Sequence, residues 1–418
     1  MVIKPISLLL ISLFFVYRLF ACYYPFNLTH FKMNRNLWIL IISQIFSFTP
    51  GPVNVFLSGI VGNQLAINKS FATIPTALLI VGTASFSFFA AKIMSIIGRK
   101  KGFLLSSFFT SFSSLVAAYS IYIGSFYLFC LSCFLIGNGM AFTHQYRFAA
   151  VENTEKEFIP KILSFLMLVS IFAALIGPNV ANQTINLISD SIYAGSYISL
   201  AGLTFVPFIL LWFYQSDHKP VVKTEYVGRG YLELIFQPRF LQAMVSAALG
   251  YAIMSLLMTA TPISMHVLHD FNLNDTKIVI QFHVIGMFLP SLFTGYFLKK
   301  FGHSKIIYTG IFIYFIVIIL SYLDQTFVNY LISLILLGVG WNFLYLAGTG
   351  LLVLSYKEEE KFRAQGINDI IVFSIQALGS LSAGYILNTL SWKSLNMIVF
   401  PFLIIMLLVS IRADLSKK

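Results

Sequence analysis

The sequence predicts an all-α polytopic membrane protein, with twelve transmembrane helices arranged as two pseudo-symmetric six-helix bundles. Of its 418 residues, 58% are hydrophobic and only 10% are charged, whereas a soluble domain carries roughly a quarter charged residues. The mean hydropathy of +0.85 reflects the whole chain and excludes a soluble enzyme. The distribution of basic residues and an internal repeat also support this fold class.

Twelve apolar runs, each of about 20 residues and long enough to cross a bilayer as a helix, follow one another along the chain. We place them at 37–61, 72–96, 103–124, 126–148, 161–185, 193–214, 241–264, 277–298, 305–323, 328–354, 366–388 and 394–412. Pro50, Gly51 and Pro52 predict a bend in the first helix, because proline removes an internal hydrogen bond. A polar linker at 217–240 separates an N-terminal bundle, 33–216, from a C-terminal bundle, 241–418.

The basic residues predict the orientation of the helices. If Arg35 is cytoplasmic, the alternating loops place nearly all other Lys and Arg residues on the same side, and only Lys69, Lys277 and Lys393 on the other. Since loops rich in Lys and Arg stay in the cytoplasm, we expect both ends of the twelve-helix bundle to be cytoplasmic and the protein to lie in the inner (plasma) membrane of the cell. The net charge of +12 forms no continuous basic face, so membrane lipid rather than nucleic acid is the expected partner.

Residues 1–32 form an N-terminal extension outside this scheme. Their apolar stretch, Ile6 to Val16, is shorter than a span and is followed by Arg18. Either translation begins at Met33, directly before the first helix, or the extension contributes an extra apolar segment.

The two bundles resemble each other in sequence. The segment SIIGRKKG around Gly98 has a counterpart, KKFGHSK, around Gly302, at an offset of 204 residues. GNGMAF in the fourth helix matches GVGWNF in the tenth, at an offset of 201 residues. A near-constant offset indicates a duplicated six-helix unit in parallel orientation, with a cleft between the two copies.

These features resemble the major facilitator superfamily over residues 33–418. The family's loop motif, G-x-x-x-D-R-x-G-R-K, appears as AKIMSIIGRK, which retains Gly98, Arg99 and Lys100 but lacks the leading glycine, the acid and the first arginine; the second copy retains Gly302. The segment QGINDIIVFSIQALGSLSAGYIL is similar to a poorly characterised bacterial branch of the family. The resemblance implies a permease that works by alternating access, with these loop residues acting in its conformational change.

Ionisable side chains within the spans are costly and therefore informative. Arg147 has the geometry to hold an anionic substrate group by two hydrogen bonds; alternatively it reaches the cytoplasmic surface or pairs with Glu152. Asp369 is a candidate for carrying a coupling proton, or else it stabilises the start of its helix or pairs with the loop near Arg99. His283 and Glu152 are the other coupling candidates, and a hydrogen-bonded structural role is the alternative for His283.

Aromatic and amide side chains on the first, tenth and eleventh helices are candidates for binding a flat organic solute. They are Gln44, Asn54, Trp341, Asn342, Tyr345 and Gln376. Helix packing explains any one of them equally well. Cys130 and Cys133 are interpreted as small packing residues, and neither a metal site nor a cofactor is expected.

The sequence therefore predicts a secondary active transporter of a small organic solute, anionic or aromatic, with protons as the candidate coupling ion and a monomeric state. The alternative is a receptor or assembly factor that retains the transporter fold. The absence of a GxxxxGK[ST] motif argues against ATP-driven transport. No span contains a set of His and acidic residues that would suit a membrane enzyme.

Overall fold

The computed structural model describes residues 33–155, 159–215, 229–357 and 360–416. Within them, twelve helices are long and apolar enough to cross a membrane, which confirms the predicted fold class. The extension 1–32, the first half of the linker 217–240 (residues 217–228) and the last two lysines lie outside the described residues.

The N-terminal half contains the first six spans, α1 to α6. They are α1a (Arg35–Ser47), α1b (Pro50–Leu65), α2 (Ile74–Ile97), α3 (Arg99–Tyr122), α4a (Phe126–Thr143), α4b (Tyr146–Glu152), α5 (Ile159–Gln183) and α6 (Ala194–Trp212). A short 3-10 helix, Lys69–Phe71, precedes α2.

The C-terminal half contains α7 to α12. They are α7 (Pro238–Pro262, continued by a π-helical turn at Ile263–Leu268), α8a (Leu273–Phe288), α8b (Ser291–Phe301), α9 (His303–Tyr322), α10 (Phe327–Val353), α11 (Lys361–Thr389), α12a (Trp392–Met397) and α12b (Val399–Leu415). The short helix Tyr231–Phe236 precedes α7.

Two of the spans are interrupted next to prolines. The first ends at Ser47 and resumes at Pro50, which confirms the predicted bend. The eighth ends at Phe288 and resumes just after Pro290, a break that the sequence analysis did not predict. Proline leaves a carbonyl of the preceding turn without its usual N–H donor, so side chains must satisfy the backbone at both places.

Paired glycines show the internal duplication in the structure. Gly98 joins α2 to α3 with φ of 83°, and Gly302 joins α8b to α9 with φ of 84°. This is the left-handed region, which glycine adopts without steric cost. The two residues are equivalent in the internal repeat, so both halves make the same turn for the same reason.

Glycine also sets the closest helix crossings in each half. A Cβ atom at Gly137 on α4a would lie 2.5 Å from the carbonyl oxygen of Leu79 on α2. One at Gly338 on α10 would lie 2.5 Å from the carbonyl oxygen of His283 on α8a. Small residues let transmembrane helices meet backbone to backbone, and here they do so at equivalent places in the two halves.

Contacts between the halves involve α2 with α11, α5 with α8, and α1b with α7. We call the side of the bundle at which α1a begins and α12b ends the basic end, and the other side the opposite end. Hydrogen bonds between the halves are found toward the opposite end. The Gly384 amide donates to Thr73 Oγ1 (2.9 Å), and Gln281 Nε2 donates to the Ala174 carbonyl (3.2 Å).

Candidate functional site

Aromatic side chains from four helices of the C-terminal half meet beside the N-terminal half. Trp341 and Tyr345, one turn apart on α10, stack with ring centroids 5.1 Å apart and an interplanar angle of 9°. Tyr251 on α7 stands perpendicular to both, at 5.1 Å from Trp341 and 5.4 Å from Tyr345. Phe288 and Phe373 complete this group, which we call the aromatic cluster.

The aromatic cluster extends from α11 to the N-terminal half. Phe373 on α11 lies 6.2 Å from Tyr251, and Phe288 at the end of α8a lies 6.1 Å from Trp341. Phe288 also makes an edge contact, at 5.8 Å, with Phe48 at the break in α1. The interrupted spans α1 and α8 therefore meet at the cluster.

Several polar groups at the cluster have no hydrogen-bond partner within the described residues. The indole Nε1 of Trp341 is buried and has no acceptor. The hydroxyl groups of Tyr251 and Tyr345 and the amide of Gln376 make no hydrogen bond in the described parts of the chain either. Buried polar groups in proteins are nearly always paired, so the unpaired Trp341 Nε1 marks a place for a ligand acceptor, and the other three groups can also hydrogen-bond to a ligand.

The side chain of Asn342 makes all its hydrogen bonds within the described residues to the interrupted eighth span. Its Nδ2 donates to the Met287 carbonyl and to Ser291 Oγ, both at 2.7 Å, and its Oδ1 accepts from Thr294 Oγ1 at 2.7 Å. These partners lie on both sides of the break between α8a and α8b. The amide therefore bridges the break, and all its usual donors and its acceptor are in use.

The candidate amides of the N-terminal half are also engaged by protein. Asn54 is fully buried; its Nδ2 donates to the Pro50 carbonyl (2.8 Å), and its Oδ1 accepts from Tyr197 Oη (3.2 Å) and Cys133 Sγ (3.4 Å). Gln44, half-buried, donates from Nε2 to Ser170 Oγ on α5 at 3.3 Å. Of the four amide candidates, only Gln376 has both its donor and its acceptor unused within the described residues.

Arg147 and Asp369 lie toward the basic end, on α4b and α11, and both are exposed. Arg147 and Asp369 lie close enough to each other and to Tyr345 to interact electrostatically. Asn368 Nδ2 donates to Asp369 Oδ1 at 3.2 Å. The Arg147 guanidinium lies 4.7 Å from the centroid of the neighbouring Phe148 ring.

Glu152 belongs to a different contact. Its two carboxylate oxygens accept from Nε (2.6 Å) and Nη2 (2.5 Å) of Arg99, at the start of α3. Among the described residues, Glu152 therefore pairs with Arg99 rather than with Arg147, and Arg99 forms its ion pair with Glu152 rather than with Asp369. The loop of Gly98, Arg99 and Lys100 is instead fastened to the end of α4b within its own half.

His283 lies at the crossing of α8a with α10. It is fully buried, with Nδ1 2.7 Å from the Leu334 carbonyl oxygen and Nε2 buried without a partner in the described residues. This placement separates the imidazole from the exposed pair Arg147 and Asp369.

The sequence analysis missed Tyr251, Phe288 and Phe373 as members of this site. A signal for Tyr251 was present, because it interrupts the run of small and aliphatic residues SAALGYAIMS in α7. Phe373 lies four residues after Asp369 and three before Gln376, which is the spacing of one helix face.

Comparison with known proteins identifies the family. The model of the Major Facilitator Superfamily matches residues 37–278 and 243–417. The riboflavin transporter RfnT of Brucella anthropi is 31% identical over 375 residues, covering 89% of this chain and 94% of the relative. The uncharacterized MFS-type transporter YdeG of Bacillus subtilis is 26% identical and covers 87% of this chain and 88% of its own length.

Solved structures show the same fold at low sequence identity. A mutant of the nucleoside transporter NupG superposes with a TM-score of 0.72 at 13% identity, covering 91% of this chain and all of that one. A bacterial homologue of the human lysosomal transporter Spinster gives 0.66 at 13% identity, covering 90% of this chain and 96% of its own. With the duplicated six-helix halves and the family match along nearly the whole chain, the protein belongs to the Major Facilitator Superfamily and is a multi-pass secondary transporter of a small solute.

Proposed function

We propose that the transported solute is a flat heteroaromatic molecule of the flavin class and that it binds at the aromatic cluster. The observation that carries this proposal is the set of perpendicular and stacked rings of Tyr251, Trp341 and Tyr345, with the buried Trp341 Nε1 left without an acceptor in the described residues. Ligand pockets typically combine apolar and aromatic walls with a few polar groups that fix orientation. A tricyclic ring system presents the large flat surfaces that such walls accommodate.

The relative from Brucella anthropi supports the choice of flavin. Its name gives riboflavin as the solute, and the alignment with this chain covers 94% of its length. The aromatic cluster is built from α7, α8, α10 and α11, which all lie within the aligned family match. A neutral riboflavin also suits a cluster whose nearby charges, Arg147 and Asp369, are of opposite sign.

The proposed path runs between the two halves. The basic residues favour a basic end that faces the cytoplasm of the cell, with the protein in the plasma membrane. Alternating access would then expose the aromatic cluster first on one side and then on the other. Asp369 is the proposed proton carrier, because it is exposed at the basic end whereas His283 is sealed between helices.

Flavin binding and uptake test the proposal directly. Purified protein should quench riboflavin fluorescence on binding, and proteoliposomes should take up labelled riboflavin. Trp341→Leu and Tyr251→Leu should each weaken binding by about 10-fold or more, because each aromatic side chain of the cluster contributes contact area and ring geometry. Trp212→Leu is the matched control, since that indole is 61% exposed at the end of α6. Wild-type protein that neither binds nor transports riboflavin would refute the proposed substrate.

A further inference from the structure

Gln376 stands out among the polar residues of the C-terminal half because of its position beside the aromatic cluster. On α11 it lies between Phe373, which contacts Tyr251 at 6.2 Å, and Ser380, whose hydroxyl is 3.0 Å from Thr259 Oγ1 on α7. Residues spaced by three and four share one face of a helix. The Gln376 side chain therefore faces α7 close to Tyr251.

Gln376 is a buried residue, 7% exposed, whose amide makes no hydrogen bond within the described residues. By contrast, the amides of Asn54 and Asn342 are paired at both their oxygen and their nitrogen. The Gln376 amide therefore keeps both its donor and its acceptor capacity for a ligand group that reaches this face of α11.

A second unpaired group borders the same aromatic ring. Trp341 Nε1 is a donor only; it is buried without an acceptor, and its ring contacts Tyr251 at 5.1 Å. The Gln376 amide supplies both donors and an acceptor. Together they present a donor and acceptor set beside flat aromatic surfaces.

We propose that Gln376 recognises the imide edge of the solute, the C=O, N–H, C=O sequence on one side of a flat ring, by pairing its amide with one carbonyl and the neighbouring N–H. This inference rests on the proposed flavin class, whose pyrimidine-type ring carries such an edge. Trp341 Nε1 is the nearby donor for the second carbonyl. Gln376 is therefore a specificity-determining residue, which selects the hydrogen-bonding edge, while the rings bind the flat faces.

A pair of solutes that differ only at the imide nitrogen isolates this contact. Lumiflavin has a free imide N–H, and 3-methyllumiflavin carries a methyl group in its place; neither has the sugar-like chain of riboflavin. A site built to hydrogen-bond a ligand group discriminates strongly against an analogue that lacks it. Wild-type full-length protein in detergent should therefore bind lumiflavin at least about 10-fold more tightly than 3-methyllumiflavin, measured by quenching of flavin fluorescence.

Substitution of Gln376 should remove this preference without removing binding. In Gln376→Leu we expect the ratio of the two dissociation constants to fall to within about 2-fold of unity, while the affinity for 3-methyllumiflavin stays close to that of wild type. Retained binding of the methylated analogue shows that the variant is folded. Ser374→Ala, an exposed position on the same helix, is the matched control and should keep the wild-type ratio.

The outcomes separate the two proposals. Failure of wild-type protein to bind either flavin would refute the flavin substrate itself. Equal binding of both analogues by wild type, or a wild-type preference that persists in Gln376→Leu, would overturn the role of Gln376 while leaving the flavin substrate in place.

Discussion

Replacing Gly384 by alanine tests how the two halves are held together at the opposite end. A Cβ atom at this position of α11 would lie 2.6 Å from Thr73 Oγ1, 3.1 Å from Thr73 Cγ2 and 3.0 Å from the Ser70 carbonyl oxygen. All three atoms belong to the N-terminal half. At the same place a hydrogen bond from the Gly384 amide to Thr73 Oγ1, at 2.9 Å, joins the two halves.

The expected magnitude follows from these distances. Contacts of 2.6 and 3.0 Å are too short for carbon against oxygen, so α11 must move away from α2 by several tenths of an ångström. Overpacking of this kind costs about 1–3 kcal/mol. The cost applies only while the halves touch at the opposite end and vanishes when they separate there. Gly384→Ala should therefore shift the population toward the separated conformation by about 5- to 150-fold.

Distances between spin labels at the opposite end measure this shift. Ile67 and Leu390 are highly exposed positions in the two halves, so labels on cysteines placed there should not disturb packing. Cys130 and Cys133 are buried and can stay, whereas Cys22 should be replaced. Gly384→Ala should enlarge the fraction of long distances, and adding Thr73→Ala, which removes the two atoms of the Thr73 side chain that clash, should reverse much of the change.

Gly379→Ala provides the matched control. A Cβ atom at Gly379 would lie 2.6 Å from the carbonyl oxygen of Ala252, an equally close contact that lies within the C-terminal half. It should lower thermal stability without changing the label distances. The reasoning is refuted if Gly384→Ala leaves the distance distribution unchanged, or if Gly379→Ala shifts it as much.

Four further predictions concern charged and amide groups. Asp369→Asn should abolish proton-driven accumulation but retain exchange of labelled riboflavin across proteoliposomes, and loss of exchange in this variant would remove Asp369 as the proton carrier. Arg147→Lys should retain both accumulation and exchange, because the proposed neutral solute offers no anionic group to the planar guanidinium; a substantial loss of transport would instead support Arg147 as a substrate anchor. Asn342→Ala should lower the free energy of unfolding by about 1–3 kcal/mol, because it leaves polar groups at the α8 break unpaired, and an unchanged melting temperature would contradict this. Hydrogen bonds from Arg229 hold the pKa of the buried Glu360 carboxyl well below its ordinary value. The stability that Glu360 contributes is therefore present above about pH 4 and is lost as the pH falls further. The melting temperature of Glu360→Gln should fall less in acid than that of wild type, and equal falls in the two proteins would refute the argument.

The fold was predictable because its main determinants act locally along the chain. Twelve continuous apolar runs of about 20 residues predict twelve helices in a bilayer, since a helix satisfies all backbone groups within the segment and needs about that length to cross. The turns at Gly98 and Gly302 follow from the freedom of glycine at positive φ. The break in α8 was missed because Pro290 lies in the middle of a run that hydropathy treats as continuous.

The site was predictable only in part, because residue type does not say which face of a helix meets a ligand. Trp341 and Tyr345 are four residues apart and share a face, as their stacking shows. Asn342 follows Trp341 by one residue and is therefore turned by about 100° around the helix, toward α8. The three residues are close in sequence, but Asn342 makes its hydrogen bonds to α8 whereas the Trp341 and Tyr345 rings stack on each other.

Ion pairs between distant segments were beyond the reach of the sequence. Glu152 was close to Arg147 along the chain, yet it pairs with Arg99, 53 residues away. The reason is the packing of α3 against α4, which brings the start of one helix to the end of the other. The near-constant offset of the internal repeat puts Gly98 and Gly302 at equivalent positions of the two halves. It does not specify the side-chain partners of the residues that follow them.

Phe288 connects the aromatic cluster to the N-terminal half at a place where the backbone is already interrupted. Its ring contacts Trp341 in the cluster and Phe48 across the interface, and α8a ends at Phe288 itself. Asn342, the neighbour of Trp341, binds α8 on both sides of that break. A shift of the Trp341 ring therefore acts on α8 through two adjacent residues of α10, one by ring contact and one by hydrogen bonds. Because α1 is also interrupted next to Phe48, the contact between the halves at the cluster joins two short helix ends rather than two rigid spans.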